Sequence, residues 1–230
     1  MTRKSIIAFA IIVASGVAHA GKVHDGYAAL FSDQPGQVFT TPVSEDYLPA
    51  TFGTNGDATS SWTGQVEGQR LKITVREETL LVNGKSYSFK DAVRLAGDDF
   101  ASLDPRAITL FINRDTTTRQ PAMCIEAAGT GSGTADRYAQ VYVLAGPPGA
   151  KSNTRLYKLP SLFGSCRNLV RKGNSLQFMF FSYRREEGAD SPVGANIQYF
   201  MIEGRRYVAT EQHQKTRFTE PDNVFKFEVE

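Results

Sequence analysis

The feature that most constrains the fold is the stretch of residues 166–213, where short runs of aromatic and β-branched residues alternate with Gly and Asn. This composition, broken by turn-forming residues, is typical of antiparallel strands and predicts a four-stranded meander. The four runs cover residues 166–171, 176–183, 197–202 and 206–210. Within the second run, residues 178–181 read Phe-Met-Phe-Phe, so both faces of that strand are apolar. We therefore expect it to be central and covered on both sides.

A second strong signal is the pair Asn83-Gly84, which lies between two runs of strand-forming residues. Asn-Gly favours a type I′ hairpin turn because both positions tolerate positive φ. The predicted register pairs Val82 with Lys85 and Leu80 with Tyr87. One face of this hairpin is apolar and the other carries hydroxyl groups, as expected where one side of a sheet faces water.

Helices contribute little to the predicted fold. Residues 91–104 contain the one stretch that favours short helical turns, with Asp91 and Asp98 as possible caps. Residues 21–31 predict an edge strand or a single helical turn. With about ten or eleven predicted strands, the chain is expected to be all-β: an antiparallel sandwich or barrel-like meander with one or two short helical turns.

The first twenty residues resemble a signal peptide. Arg3 and Lys4 precede an apolar run over residues 6–14, and Ala-His-Ala at 18–20 is a small-x-small cleavage site. The apolar run is short for a membrane span, although an uncleaved anchor is the alternative. The predicted organisation is a signal peptide at 1–20, an N-terminal loop-rich segment at 21–64 and an all-β domain at 65–230, without a membrane-spanning segment.

The two cysteines, Cys124 and Cys166, both lie in the predicted mature chain. In an exported protein, two cysteines most simply form one disulfide. A redox or nucleophilic thiol is the alternative, but the sequence has no Cys-x-x-Cys and no His near either cysteine. We therefore expect a structural Cys124–Cys166 bridge and a periplasmic or secreted location.

The charge balance argues against nucleic acid as a partner. The whole chain has 26 Lys plus Arg and 24 Asp plus Glu. Residues 1–20 hold two basic and no acidic residues, so 26 − 2 leaves 24 of each sign in the mature chain. A neutral chain without a basic run gives no electrostatic reason to bind nucleic acid or an anionic membrane.

Sequence patterns for catalysis, metal binding or a cofactor are missing. His24 and His213 are the two histidines outside the signal peptide, and their spacing fits no metal motif, so we expect both to be solvated. The Gly-rich stretch at 129–133 lacks the Gly-Lys-Ser/Thr of a phosphate loop, and no Gly-x-Ser-x-Gly occurs. We predict no catalytic residues, no metal and no cofactor.

The best candidates for binding lie in the loop-rich segment at 32–64, which scatters aromatic residues among Gly, Pro, Ser, Thr, Asn and Asp. Tyr47, Phe52 and Trp62 are the candidate binding residues, because exposed Tyr, Trp and Phe side chains serve as anchors at interfaces. The alternative is a loosely packed segment whose aromatic side chains attach it to the sheet.

These observations predict an exported β-domain that binds another macromolecule without catalysis, as an inhibitor, immunity or envelope accessory protein would. The partner is expected to be a protein or an envelope polymer. The alternative is a carboxylate-dependent hydrolase acting on an envelope or extracellular polymer. That alternative requires a cleft with an Asp/Glu pair, one of whose members has a raised pKa.

Overall fold

The structure is a computed structural model that describes residues 22–43, 47–66, 68–98, 100, 102–113, 123–128, 137–145, 154–173, 175–188 and 190–230. The predicted signal peptide at 1–20 lies outside these residues. The described strands are β1 Val23–Asp25, β2 Ala50–Phe52, β3 Ala58–Val66, β4 Gln69–Val75, β5 Thr79–Val82, β6 Lys85–Ser88, β7 Ile108–Ile112, β8 Met123–Ala128, β9 Ala139–Ala145, β10 Arg155–Leu159, β11 Val170–Lys172, β12 Ser175–Arg184, β13 Gly194–Glu203, β14 Arg206–Phe218 and β15 Lys226–Val229. One helix, α1, spans Tyr27–Ser32. The all-β prediction is confirmed.

The strands form three antiparallel sheets. The six-stranded sheet has the order β1-β15-β14-β13-β12-β11, the middle sheet β10-β9-β8-β7, and the five-stranded sheet β2-β3-β4-β5-β6. β3 runs across residues 64 and 65, so the loop-rich segment and the all-β segment of the sequence contribute to one sheet.

The middle sheet lies between the other two, because successive residues of its strands enter different cores. On β8, Met123 and Ile125 belong to a buried cluster that includes Ile73 and Leu80 of the five-stranded sheet. Cys124 lies between them in sequence and belongs to a different cluster, shared with Phe178 of the six-stranded sheet. Alternation along a strand places these side chains on opposite faces of the sheet. The molecule is therefore a three-layer β-sandwich.

Helix α1 packs against the face of the six-stranded sheet that carries Met179 and Phe181. Tyr27, Leu30 and Phe31 pack in a third cluster with Met179 and Phe181 of β12. Since Phe178 of the same strand faces the middle sheet, the prediction that both faces of this strand are covered is confirmed. The strand is not central: it lies between β13 and the short edge strand β11.

A disulfide joins the middle sheet to the six-stranded sheet. Cys124 on β8 is bonded to Cys166, just before β11, with an S–S distance of 2.06 Å. This confirms the predicted bridge. The bond therefore ties two layers together, rather than two neighbouring strands of one sheet.

The predicted hairpin at Asn83-Gly84 is confirmed in register and turn conformation. Val82 pairs with Lys85 and Leu80 with Tyr87. Asn83 has φ 49° and Gly84 has φ 81°, as a type I′ turn requires. Leu80 is buried inside the sandwich, so this hairpin closes one side of the larger core.

The helical turns predicted within residues 91–104 are wrong for the described part of that segment. Its backbone pairs with the middle sheet instead: the Val93 N–H donates to the Leu156 carbonyl at 2.9 Å, and the Lys158 N–H donates to the Val93 carbonyl at 2.8 Å. A 3₁₀ turn forms later, over Pro105–Ala107, where the Asp104 side chain accepts from the Arg106 N–H. Tertiary pairing thus outweighs a weak local helical preference.

The first strand predicted in the 166–213 meander begins later than expected. Cys166–Asn168 is a 3₁₀ turn, and β11 starts at Val170. The Asn168 side chain explains the difference. Its amide donates to the Met179 carbonyl and accepts from the Met179 N–H, both at 2.8 Å. A buried side chain thus takes over the pairing that a longer strand would have supplied to β12.

Candidate functional site

The three sequence-predicted binding residues occupy different environments. Tyr47 is 52% exposed and Phe52 is 65% exposed. Trp62 is partly buried and packs against the core between the five-stranded and middle sheets. Its ring covers Gly64, where a Cβ atom would come within 2.3 Å of the indole. Trp62 therefore supports the scaffold, whereas Tyr47 and Phe52 remain available for contact.

Phe52 is the last residue of β2 and lies directly before the turn of the hairpin formed by β2 and β3. All residues from 51 to 57 are exposed. The turn is nonetheless ordered by hydrogen bonds: the Gly53 N–H donates to the Asp57 carbonyl at 2.9 Å, and the Gly56 N–H donates to the Gly53 carbonyl at 3.0 Å. β2 is the edge strand of its sheet. We call residues 50–60, with Tyr47 preceding them, the aromatic hairpin.

The surface beside the aromatic hairpin carries an excess of negative charge. A cavity of about 490 Å³ is lined by Asp57, Arg76, Glu77 and Glu78, among others. Three carboxylates and one guanidinium leave a formal charge of −2 in this lining. Glu78 also forms an ion pair with Lys90, with Nζ and Oε1 2.8 Å apart, which reduces the local excess to −1. The turn end of the hairpin therefore combines an exposed aromatic ring with a weakly acidic surface.

The structure does not bring the two histidines together. His24 is 4% exposed and stacks on Phe227 with ring centroids 5.4 Å apart, so its predicted solvation is wrong. Burial lowers the pKa of His24, although the nearby Asp33 acts in the opposite direction. His213 is exposed on β14, as expected. In the described parts of the chain, no three His, Cys, Asp or Glu side chains are placed to hold a metal ion.

The carboxyl groups offer no support for the hydrolase hypothesis. Asp33, Asp104 and Glu220 have lowered pKa values, chiefly because they accept hydrogen bonds from Lys22, Arg106 and Lys226, respectively. A general acid in a hydrolase needs a shift in the opposite direction. The hydrolase alternative therefore stays a prediction.

A second candidate site was not foreseen from the sequence. We call it the aromatic–arginine pocket, a cavity of about 230 Å³ between α1, the middle sheet and the chain before β11. Its lining includes Tyr27, Glu126, Arg137, Phe163, Arg167 and Phe225. These residues come from five separate stretches of the sequence, since Phe163 and Arg167 belong to one segment, and no local motif connects the five. Only the folded chain shows that they share a cavity.

Aromatic rings form much of the wall of this pocket. Tyr27 stacks on Phe163, with ring centroids 3.7 Å apart and an interplanar angle of 15°. Phe225 approaches the edge of the same pair and is 37% exposed. Phe227 stacks on the other face of Tyr27, with ring centroids 4.6 Å apart, so Phe225 is the most exposed of these rings.

The polar groups of the aromatic–arginine pocket are incompletely paired. The Tyr27 hydroxyl and the Nε atoms of Arg137 and Arg167 are buried, without a hydrogen-bond partner among the described residues. Burial raises the pKa of Tyr27, with a further contribution from Tyr183. Arg137 does donate through Nη1 to the Tyr183 hydroxyl, at 3.3 Å. The protein thus encloses several donors beside the pocket that the described residues do not satisfy.

Glu126 in the same lining is engaged by its own neighbours. Its Oε2 accepts from the Ser165 hydroxyl at 3.0 Å and from the Cys166 N–H at 2.9 Å. Within the described residues it forms no ion pair with either Arg137 or Arg167. The disulfide fixes Cys166 against the middle sheet, so it also orients this carboxylate.

Neither membrane insertion by a helix nor similarity to known proteins adds to these observations. Among the helices of the described residues, none has the length and apolar character needed to cross a membrane. Comparisons with models of known protein families, with curated proteins and with solved structures found no match.

Proposed function

We propose that the mature chain is an exported, non-catalytic β-domain that binds another protein, as an inhibitor, immunity or envelope accessory protein would. The observation that carries this proposal is the 65% exposure of Phe52 next to an exposed hairpin turn. Large aromatic side chains usually bury most of their surface in a folded protein. A Phe held outside the core on an ordered turn is well placed to enter a pocket of a partner.

Export is supported by two features of different kinds. The sequence begins with the pattern of a signal peptide. The structure contains a disulfide, which is compatible with the oxidising conditions outside the cytoplasm. Together they favour a periplasmic or secreted location.

The aromatic hairpin has two means of binding. Phe52 and Tyr47 supply apolar anchors, and an anchor that is fully buried by a partner contributes about 2 kcal/mol or more. β2 is an edge strand, so its free side can pair with an extended segment of the partner. Because its turn is held by internal hydrogen bonds, little conformational entropy is lost on binding.

The acidic residues at the turn end of the hairpin indicate what kind of partner fits. Asp57 in the turn and Glu77 in the same cavity lining have no ion pair to a described residue. A complementary surface would have an apolar pocket with Lys or Arg at its rim, since complementary charge favours encounter and orientation. We therefore expect the partner to be a protein with a basic rim around an apolar pocket.

The test uses the mature chain, residues 21–230, with a photo-crosslinking amino acid in place of Thr54 at the hairpin tip. A partner crosslinked in an envelope extract is identified, purified and titrated against the wild-type chain. Phe52→Ala should weaken the affinity about 30-fold or more, and Tyr47→Ala by a smaller factor.

Val23→Ala is the matched control, because Val23 is 49% exposed but lies on β1 of the six-stranded sheet. It should leave the affinity unchanged. Equal affinity of the Phe52→Ala and wild-type chains, or a crosslinking yield that added unlabelled mature chain does not reduce, would rule out the hairpin as the binding surface.

A further inference from the structure

One end of the six-stranded sheet gathers positive charge, although residues 21–230 as a whole are formally neutral. The turn after β11 and the turn after β13 meet there, because Leu176 pairs with Ile202. The start of β10 joins them, since the Tyr157 hydroxyl donates to the Gly204 carbonyl in the second turn. We call residues 170–173, 175–176 and 202–207, together with Arg155, the basic end. Its charged residues are Arg155, Arg171, Lys172, Glu203, Arg205 and Arg206, so 5 − 1 gives a formal charge of +4.

The opposite end of the same strands is acidic. Residues 184–188, 190–194 and 217–230 hold four basic and seven acidic side chains, so 4 − 7 gives −3. Strands β12 and β13 have 10 residues each, which separates the two ends by about 30 Å. That distance is about three screening lengths at 0.1 M salt, so the acidic end does not cancel the field of the basic end.

Several side chains of the basic end are open to a ligand. Lys172 and Arg205 are exposed and have no ion pair to a described residue. Lys172 donates to the uncharged Gln212 side chain at 3.0 Å, so its charge is not neutralised. Arg206 pairs with Glu203 at 3.4 Å, but its side chain is 76% exposed, so that pair is weak. Arginine presents a planar fork of donors that matches a carboxylate or phosphate.

The spacing of these cations favours a polymer over a small anion. Lys172 ends β11 and Arg206 begins β14, and β12 and β13 lie between those two strands. With neighbouring strands about 4.8 Å apart, three intervals make about 14 Å. A single carboxylate or phosphate cannot bridge that distance, whereas a chain that repeats its charge can.

The distribution of apolar side chains narrows the class of polymer. Among the described residues, the exposed large apolar side chains all lie outside the basic end. Protein interfaces use buried aromatic anchors, surfaces that bind bilayers insert Trp, Phe or Leu, and single-stranded nucleic acids stack their bases on aromatic rings. A hydrophilic polymer with repeated carboxylates needs none of these features.

We propose that the basic end binds an acidic polysaccharide, a linear chain of sugars that carry carboxylate groups. The carboxylates accept hydrogen bonds from Lys172, Arg205 and Arg206, and the sugar chain crosses the ends of the strands. The aromatic hairpin belongs to the five-stranded sheet, so this site stands or fails independently of the proposed function.

The test measures the binding of alginate, a linear polymer of uronic acids, to residues 21–230 by calorimetry in 0.1 M NaCl. Wild type should bind alginate saturably, and the uncharged polysaccharide dextran should bind at least about 10-fold more weakly. Raising NaCl to 1 M shortens the screening length from about 10 Å to about 3 Å, so alginate affinity should fall at least about 10-fold.

Two variants remove exposed cations from the basic end. Lys172→Gln and Arg205→Gln should each reduce alginate affinity about 3-fold, and the two together about 10-fold. Arg185→Gln is the matched control, because it makes the same change in net charge at an exposed position of the acidic end. Its affinity should stay within about 2-fold of wild type, since screening separates the two ends. The thermal midpoints of these variants should equal that of wild type, because the substituted side chains are exposed.

Four results would overturn the proposal. The first is no saturable binding of alginate by wild type up to about 10 mM uronic acid units. The second is dextran binding as tightly as alginate. The third is an affinity loss in Arg185→Gln as large as that in Lys172→Gln or Arg205→Gln. The fourth is tighter binding of duplex DNA or of phosphatidylglycerol vesicles than of alginate, which would assign the basic end to a different class of partner.

Discussion

The two faces of the middle sheet are joined to their neighbours by different means. Toward the five-stranded sheet, the described residues form an apolar cluster of seventeen buried side chains, including Ile73, Leu110 and Tyr142. Toward the six-stranded sheet, the corresponding cluster has ten. The smaller cluster is the one that contains the disulfide between Cys124 and Cys166.

Side-chain hydrogen bonds also reinforce the interface with the smaller cluster. The Tyr157 hydroxyl of the middle sheet donates to the Gly204 carbonyl in the turn after β13. From the other side, the Tyr207 hydroxyl lies within hydrogen-bonding distance of the Lys158 carbonyl, at 2.8 Å. The stabilisation from burial is roughly proportional to the apolar area that is buried, so the smaller cluster supplies less of it. Individual bonds therefore account for a larger share of the stability of this interface. The interface with the five-stranded sheet is thus stabilised mainly by buried apolar area. The interface with the six-stranded sheet is stabilised by buried apolar area together with individual bonds.

The largest effect is expected from removing the disulfide with Cys124→Ser and Cys166→Ser together. The bond closes a loop with a sequence separation of 42 residues. Losing it should lower the free energy of unfolding by about 4 kcal/mol, because the unfolded chain regains conformational entropy. Urea denaturation measures the change.

The same double variant tests the difference between the two interfaces. If individual bonds hold the six-stranded sheet, backbone amides of β12 and β13 should lose protection from hydrogen exchange before those of β4 and β5. Uniform loss of protection across the three sheets, or a loss of stability below about 1 kcal/mol, would contradict the comparison.

The second effect concerns a buried ion pair on the face toward the five-stranded sheet. Lys158 Nζ lies 2.6 Å from Asp98 Oδ1, and the lysine side chain is 2% exposed. Asp98→Ala removes a carboxylate from a buried ammonium group and should cost about 3 kcal/mol. Urea denaturation of this variant at pH 7 gives the measurement.

Two further variants separate loss of the charge pair from loss of packing. Adding Lys158→Met to Asp98→Ala removes the buried ammonium group that has lost this carboxylate, so the double variant should be more stable than the single one. Asp91→Ala is the matched control, since Asp91 is exposed in the same connection and should change stability by less than about 0.5 kcal/mol. A single variant as stable as wild type would show that this pair does not stabilise the larger interface.

Local signals in the sequence predicted the strands and the tight turn well, because these depend on neighbouring residues. Asn83-Gly84 determined both a turn conformation and a register. The segment from 91 to 104 was misjudged because Val93 pairs with Leu156 and Lys158, which are distant in sequence. Asn168 likewise replaces strand pairing with side-chain hydrogen bonds to Met179. Strand propensity does not predict such hydrogen bonds.

The candidate sites show the same division. Exposed aromatic residues in a polar segment pointed to Tyr47 and Phe52, but burial separated Trp62 from them through its packing over Gly64. The aromatic–arginine pocket had no local signal, because Tyr27 and Arg137 are 110 residues apart in sequence (137 − 27) and meet only when the layers assemble. Composition can identify the residue types that are candidates for a site. Which distant residues come together in one cavity is known only from the tertiary structure.

The smallest effect is expected for Tyr207→Phe, which removes one hydroxyl from the interface with the smaller cluster. The Tyr207 hydroxyl lies 3.0 Å from the Val93 carbonyl and 2.8 Å from the Lys158 carbonyl. The Val93 carbonyl also accepts from the Lys158 N–H, so it keeps a partner in the variant. The free energy of unfolding at pH 8 should therefore fall by only about 1 kcal/mol.

The pH dependence of this variant provides an independent measurement. Burial, with smaller contributions from Tyr157 and Asp98, raises the pKa of Tyr207 above its ordinary value of 10.0. The unfolded chain loses this proton near pH 10 while the folded chain keeps it, so the associated stability is present below pH 10 and is lost as the pH rises further. Between pH 8 and pH 10.5, the free energy of unfolding should fall more for wild type than for Tyr207→Phe. The control is the exposed Tyr47→Phe, whose free energy of unfolding should equal that of wild type at pH 8. Equal slopes of the free energy of unfolding against pH for wild type and Tyr207→Phe would mean that this hydroxyl is not buried between the layers. The contrast between the two interfaces would then depend on the disulfide and Tyr157 alone.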